Sequence, residues 1–331
     1  MSGTKARVLV LFALVAIVVA TVVAAGANAV TRSSAAAPSK LTIAYQPGIG
    51  YAPLIMIKQQ KLIEKKYPGT SVDWKVLASN TPIQDGILAG QIDIGAVGVP
   101  TLLLGYARGI PWKYLTPLSE ADLWLMVKDP SIKKLSDLVG KKIALPSPTS
   151  IQAIVLRKAA SVQLGNVKAL DSSMVSLEHP DGVQALLTGQ VQAHLTSPPF
   201  EFQELNQGAH IVLKSSQYFG SHTFVGAIAL QKTYDQYPDF MQWLYTTIKQ
   251  QDALIKKNPL KAAGYLSADA GGSPSAAQFK KWMTAKAIYY STRPRGLMRF
   301  ANFLSKNGYL SKMPASWTDL TFPPNHGEKG S

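Results

Sequence analysis

The chain has 331 residues, 47% of them hydrophobic, no cysteine and a formal net charge of +15. That length and apolar content suit two folded domains with large cores, and the missing cysteine excludes disulfides, thiolate metal sites, cysteine nucleophiles and a lipid-modified cysteine anchor. The basic residues are dispersed in pairs such as Lys65-Lys66, Lys133-Lys134 and Lys256-Lys257; without a long basic tract interleaved with aromatics they read as solvated surface that speeds encounter with small anions, not as a nucleic-acid face.

Lys5 and Arg7 precede an apolar run over residues 8–25, and Ala27-Asn28-Ala29 follows as a small-x-small cleavage pattern. Residues 1–29 are therefore expected to be a secretory signal peptide. The run, about 18 residues, is close to the lower limit for a spanning helix, so a retained membrane anchor is the other reading. Residues 30–39 are small and polar and read as a flexible leader.

A strand at 41–45 breaks at Gln46-Pro47-Gly48, and 51–65 carries helical periodicity through Leu54, Ile57, Leu62 and Ile63. A second strand at 72–77 leads to Asn80-Thr81-Pro82, a polar cap with proline in the first turn, which opens a helix through Ile83, Ile87 and Leu88. A strand at 92–97 ends at Gly98, a helix begins near Thr101, and a strand at 123–127 is broken by Asp129-Pro130. In 141–165, Ile143, Ala144 and Leu145 form a short strand that stops at Pro146, and Ile151, Ile154, Val155, Ala159 and Val162 recur on one helix face. Thr149 with Gln152 three residues on fits a capping box, and Gly165 fits a C-terminal stop. Strands at 174–177 and 224–230 follow. The remainder is mostly helical: 237–256, then a helix with Ser273 as cap and Pro274 as first residue running to 289, then 296–306.

Strands alternating with helices imply parallel pairing with helical crossovers. Residues 88–100, LAGQIDIGAVGVP, align without gaps on 187–199, LTGQVQAHLTSPP. Each copy reads as a helix end, a glycine turn, a strand and a loop, which argues for two lobes of one architecture. The long helical C-terminal part needs a base to pack on, so the chain is expected to cross between lobes near 125 and near 226, the anatomy of a hinge. Lobe 1 is then 40–125 with 226–322, lobe 2 is 126–225, and 323–331 is a tail.

Catalytic signatures are missing. Gly48-Ile49-Gly50 follows a strand, but Pro53 stands where a dinucleotide fingerprint has its third glycine. There is no phosphate loop and no G-x-S-x-G elbow. His179, His194, His210, His222 and His326 lack metal-site spacing and read as ordinary surface or core residues. No enzyme activity, metal or cofactor is expected. What remains are the loops at the carboxyl ends of strands, where open parallel sheets place ligands: Gln46, Asn80, Gly98 and Val99 in the first lobe, Ser147, Thr149, Ser150, Ser197 and Glu201 in the second. The start of the 151 helix favours an anion through its free N–H groups; with Thr149 occupied as cap, Ser150 is the hydroxyl left for a ligand. Trp124 serves as an apolar wall or as core, and Glu120 and Glu201 as partners for an amine or as solvated acids.

From residue 41 to 322 the sequence resembles the solute-binding proteins of bacterial ABC importers, in the group for nitrate, taurine, aliphatic sulfonates and thiamine pyrimidine precursors. The resemblance rests on LTIAYQPG with YAPLIMIKQQKLIEKK, LAGQIDIGAVGVPTLL with GYARGIP, KLSDLVGKKIALPSPTSIQAIVL, ALLTGQVQAHLTSPP, and FLSKNGYL with SWTDL. It implies an α/β, two-lobed periplasmic binding protein fold (type II), each lobe a mostly parallel sheet flanked by helices, joined by a two-segment hinge. It further implies a monomer in the periplasm that delivers a small anionic ligand to an ABC transporter permease in the inner membrane. Ser147-Pro148-Thr149-Ser150 departs from the Gly-Ser-Thr type turn common in that group, and Gln192 from its aspartate. The cysteine-rich motif of the related eukaryotic pyrimidine synthases is missing. An exported enzyme on the same scaffold, or a binder of a pyrimidine-type precursor, is the alternative reading.

Overall fold

Strand and helix alternate along most of the chain, because short fully apolar runs are followed by one-sided amphipathic segments. A computed structural model describes residues 37–331; the expected signal peptide and most of the leader lie outside the described residues. The first stretch comprises β1 (Lys40–Tyr45), α1 (Ala52–Gln60), α2 (Leu62–Lys66), β2 (Ser71–Val76), α3 (Asn80–Leu88), β3 (Ile94–Gly98), α4 (Val99–Ala107) and the long β4 (Trp112–Ala121). The second comprises β5 (Trp124–Val127), β6 (Ile143–Leu145), α5 (Ile151–Gln163), β7 (Met174–Ser176), α6 (His179–Leu187), β8 (Ala193–Leu195), α7 (Phe200–Asn206), β9 (His210–Lys214) and α8 (Ser216–Phe219). The last comprises β10 (Thr223–Leu230), α9 (Gln231–Gln236), α10 (Pro238–Lys257), α11 (Pro259–Asp269), α12 (Ala276–Met283), β11 (Ile288–Tyr289) and α13 (Leu297–Lys306).

These strands make two sheets, a six-stranded one in the order β11-β4-β10-β3-β1-β2 and a five-stranded one in the order β7-β6-β8-β5-β9. In the first, β1 pairs parallel with β2 and β3, and β10 runs antiparallel to β3 and β4. In the second, β6 pairs parallel with β7 and β8, and β5 runs antiparallel to β8 and β9. Each sheet thus repeats one plan, and the antiparallel strand next to its parallel set, β10 or β5, begins just after a chain crossing. The chain passes between the sheets after β4 and again after β9. The crossings are tied together: Ser215 Oγ accepts from the Leu123 amide (2.8 Å) and donates to Asp122 Oδ1 (3.3 Å), and Asp122 Oδ1 also accepts from the Ser216 amide (2.8 Å).

Both repeat copies have the same structure. In each, a helix ends at a leucine (Leu88, Leu187), a left-handed glycine follows (Gly90, φ 71°; Gly189, φ 77°), and a strand leads to a proline in the first turn of the next helix or just before it. The inner parallel strands β3, β6 and β8 are buried on both faces, which is why their sequences are almost wholly apolar or small, whereas the edge strands β2 and β7 are partly exposed. Helix α4 lies so close to β4 that a Cβ on Gly105 would stand 1.9 Å from Trp112 Cζ2, while Trp112 Nε1 donates to the Leu102 carbonyl at 3.1 Å. The C-terminal residues fold back on the first lobe, with Glu328 accepting from Lys249, Tyr245 and Thr292. Among the described residues no helix is long and apolar enough to cross a membrane.

Several local expectations are corrected. The helix expected over 51–65 is interrupted at Lys61, which takes a left-handed conformation (φ 51°) and separates α1 from α2. The cap of α5 is Ser150, whose Oγ accepts from the Ala153 amide at 3.2 Å; Thr149 is exposed and bonds only to Ser147 (3.2 Å), so the expected capping box does not form. Ser275, two residues beyond the expected cap, caps α12 by accepting from the Gln278 amide, and 288–289 is a strand at the sheet edge instead of helix. The strands β4 and β9 were not foreseen.

Candidate functional site

The carboxyl ends of β1, β3, β6 and β8 and the N-termini of α3, α4, α5 and α6 meet between the two sheets. A cavity there is lined by Gln46, Tyr51, Asn80, Gly98, Gln152, His179, Ser197 and Phe224, with Pro47, Pro146, Ile151 and Val225 completing the wall. About 10 Å³ of it is open to the centre of a water-sized sphere, room for roughly one water molecule. The lobes are closed on each other, with the Ile49 amide donating to the Pro198 carbonyl at 3.4 Å.

The lining mixes hydrogen-bonding and apolar groups and carries no charged side chain. On the first-lobe side, Asn80 Oδ1 accepts from Gln46 Nε2 (2.9 Å) and from the Gly98 amide (3.4 Å), a buried set that holds the three groups in register. On the facing side, Gln152 and His179 are joined at 3.1 Å between their Nε2 atoms. Burial, reinforced by the neighbouring His194, pushes His179 well below the usual imidazole range, so the ring is neutral. With no fixed charge in the wall, the field in the cavity is set by backbone dipoles at helix N-termini, which favour negative charge. Outside the Ile49–Pro198 seam lies a second chamber of about 300 Å³. It is mostly apolar, lined among others by Ile49, Ile55, Phe200, Leu266, Phe279 and Trp282, and it shares Gln46 and Pro47 with the first.

Of the residues singled out from the sequence, Gln46, Asn80, Gly98 and Ser197 line the cavity. Val99 is fully buried in the core behind Gly98. Ser147 and Ser150 are buried beside the cavity but engaged locally, Ser147 with Thr149 and Ser150 as helix cap. Thr149 faces outward. Glu120 lies elsewhere, 3.3 Å from Arg295; burial raises its pKa against the opposing pull of that guanidinium. Trp124 stacks edge-on against Phe202 (5.7 Å) and donates to Asp122 (3.2 Å), outside both chambers. Glu201 is fully buried in α7, and neither carboxyl oxygen has a hydrogen-bond partner.

Gln152 and His179 were missed. A usable signal existed: carried upstream to the helix starts, the repeat offset that matches Gly98 with Ser197 also matches Asn80 with His179. These are the first residues of α3 and α6, and they line the same cavity. Behind His179, the ring Nδ1 meets His194 Nε2 at 3.1 Å, and His194 Nδ1 meets Glu204 Oε1 at 2.5 Å. Among the described residues no cluster of histidines and carboxylates is arranged to hold a metal ion.

Comparison with known proteins agrees with this architecture. A protein of Escherichia coli (strain K12) named for binding aliphatic sulfonates is 26% identical over 238 residues, 71% of this chain and 72% of that protein. The alkanesulfonate-binding protein SsuA from Xanthomonas axonopodis pv. citri, solved bound to MOPS, superposes with a TM-score of 0.71 at 20% identity, covering 84% of this chain and 96% of that one. The periplasmic nitrate-binding protein NrtA from Synechocystis PCC 6803 superposes with a TM-score of 0.69 at 17% identity, covering 85% and 84%. The fold is therefore the two-lobed one of periplasmic binding proteins, and the model of the NMT1-like family matches residues 34–258. On that match, over more than half its length, the chain belongs to the NMT1-like family.

Proposed function

We propose that the protein is the extracytoplasmic substrate-binding component of an ABC importer, and that it captures a small organic or inorganic anion of the sulfonate, taurine or nitrate type between its lobes. The observation that carries this reading is an uncharged, hydrogen-bonding cavity at which the N-termini of α3, α4, α5 and α6 converge. Such a site stabilises negative charge without a counter-ion, and closure removes the ligand from water. The adjoining apolar chamber suits an alkyl or aromatic tail attached to the anionic head. Residues 40–125 with 226–322 form one lobe and 126–225 the other, and the bonded crossings at Asp122–Leu123 and Ser215–Ser216 act as the hinge. Residues 1–29 direct export and are removed, and the mature monomer serves a permease in the inner membrane. The relatives named for sulfonate and nitrate binding support this role.

A thermal-shift panel of nitrate, alkanesulfonates, taurine, carboxylates and pyrimidines tests it. A ligand at ~100 times its Kd stabilises the fold by roughly 2.7 kcal/mol. Stabilisation by an anion with no turnover of the compound supports the reading; stabilisation only by neutral pyrimidines, or turnover, overturns it.

A further inference from the structure

Behind the cleft wall a chain of polar side chains runs into the second lobe: Gln152 to His179 (3.1 Å), His179 to His194 (3.1 Å) and His194 to Glu204 (2.5 Å). All four side chains are buried, and His194 and Glu204 are wholly inaccessible. The arrangement is built, because a Cβ on Gly182 would stand 2.6 Å from His194 Nε2 and only glycine in α6 lets the ring lie there. His179 also stacks on Phe200, with centroids 5.3 Å apart.

Each ring-to-neighbour contact in this chain holds one proton, so the protons can be arranged in two ways. In one, Glu204 is a carboxylate, His194 donates to it through Nδ1, His179 donates to His194 through Nδ1, and His179 Nε2 accepts from the Gln152 amide N–H₂. In the other, the Glu204 carboxyl donates to His194 Nδ1, His194 Nε2–H donates to His179 Nδ1, and His179 Nε2–H donates to the Gln152 amide oxygen, the amide being turned end for end so that its N–H₂ is left for the cleft. The second holds one more proton. That proton enters at His179 Nε2, His179 passes its Nδ1 proton to His194 Nε2, and His194 passes its Nδ1 proton to Glu204 Oε1. Both rings remain neutral throughout.

The surroundings favour the protonated form. Glu204 Oε2 has no hydrogen-bond partner, and Glu201, one turn earlier in the same helix, has none on either oxygen. The other titratable groups facing this pair are His194 on β8, His179 on α6, and Asp122 from the first crossing, which acts on Glu201. Among the described residues no lysine or arginine forms an ion pair or hydrogen bond with His179, His194, Glu201 or Glu204. A carboxylate here would be a buried charge without a counter-ion. Burial accordingly pushes Glu204 up to about 9 and His194 down to about 3, which makes their contact a neutral hydrogen bond and not an ion pair.

We propose that His179, His194 and Glu204 form a buried proton relay in which Glu204, without touching the ligand, sets through His179 which end of the Gln152 amide faces the cleft, so that an anion is bound by the Gln152 N–H₂ together with one proton held at Glu204. The relay itself rests on geometry, and its coupling to an anion rests on the binding reading above. By linkage, the anion holds the proton on the relay as strongly as the proton aids the anion. Affinity for an anion is then level below the relay's own titration and falls about tenfold per pH unit above about pH 9.

The test has two arms. In the first, side-chain ¹⁵N NMR of the ligand-free protein follows the imidazole nitrogens from neutral to alkaline pH. The expected result is Nε2–H on both His179 and His194 at neutral pH, with a joint switch to Nδ1–H near the Glu204 titration that is lost in Glu204→Gln. Rings that become charged in the ordinary imidazole range, or that already carry Nδ1–H at neutral pH, overturn the relay. In the second arm, calorimetry with ethanesulfonate, whose charge is constant over this range, compares wild type with Glu204→Gln. The wild-type affinity should fall with alkaline pH and that of Glu204→Gln should stay level. A tautomer switch with no anion bound refutes the anion reading of the cleft and leaves the relay standing; a switch with pH-independent ethanesulfonate binding refutes the coupling. Gly182→Ala, which displaces the His194 ring, should abolish the switch while Glu204 is still present.

Discussion

Replacing Ser150 with alanine separates a helix cap from a ligand contact at the start of α5. Ser150 is fully buried with an extended backbone (φ −67°, ψ 161°), and its Oγ accepts from the Ala153 amide at 3.2 Å. Ala153 is equally buried, so Ser150→Ala leaves an orphan N–H out of reach of water. Loss of a cap costs about 1 kcal/mol and a buried unsatisfied donor about 1–3 kcal/mol. These describe the same missing bond and do not add, so the expected loss is roughly 1–2 kcal/mol, a fall in Tm of roughly 2–5 °C for a domain of this size. Thr149→Ala removes only an exposed hydroxyl bonded to Ser147 and should stay within about 0.5 kcal/mol of wild type. Urea denaturation with an unchanged m-value reads both. Because the Ser150 hydroxyl is committed to its own helix, affinity for the anion chosen by the thermal-shift panel should change by no more than about twofold. A Thr149→Ala protein that loses as much stability as Ser150→Ala, or a tenfold affinity loss in Ser150→Ala alone, would refute this reasoning.

Glu201 provides a prediction in pH. Burial, followed by the nearby Glu204 and Asp122, raises its folded pKa well above the carboxyl range, whereas the unfolded chain ionises it near ~4.3. Between those values the folded state binds more protons, so wild-type stability falls as pH rises, by up to ~1.4 kcal/mol per unit from this group. Glu201→Gln should therefore be more stable than wild type at pH 8 and no more stable at pH 4, and an equal gain at both would show that the carboxyl does not titrate in this way. Gly105→Ala drives a methyl into the Trp112 ring and should cost about 1–3 kcal/mol or more by thermal denaturation; an unchanged Tm would mean that α4 shifts freely on β4. Small-angle scattering should show the ligand-free protein more extended than its saturated form, and identical profiles at proven saturation would count against hinge closure.

Local chemistry in the sequence was enough for the alternation of strand and helix, the glycine turns at Gly90 and Gly189, and the doubling of one unit, because apolar periodicity and left-handed turns depend on neighbours in the chain. The placement of Gln46, Asn80, Gly98 and Ser197 beside one cavity follows from their position after parallel strands. The remaining features depend on contacts between distant segments. Pro117 lies within β4, which is a strand all the same: register shifts along β10 flank the proline, and on the other side β11 pairs only at Glu120 and Ala121 and does not reach it. Whether Thr149 or Ser150 caps α5 turns on the backbone entry angle, which the Pro146 loop and the packing of α5 decide together. Glu201 reads as a solvated acid or an amine's partner, but α7 packs against α6 and buries both it and Glu204. Only that packing places Glu204 against His194 and His194 against His179, because a burial that overrides the ordinary cost of an acid is a property of the surrounding segments and leaves no mark in the spacing of the residues themselves.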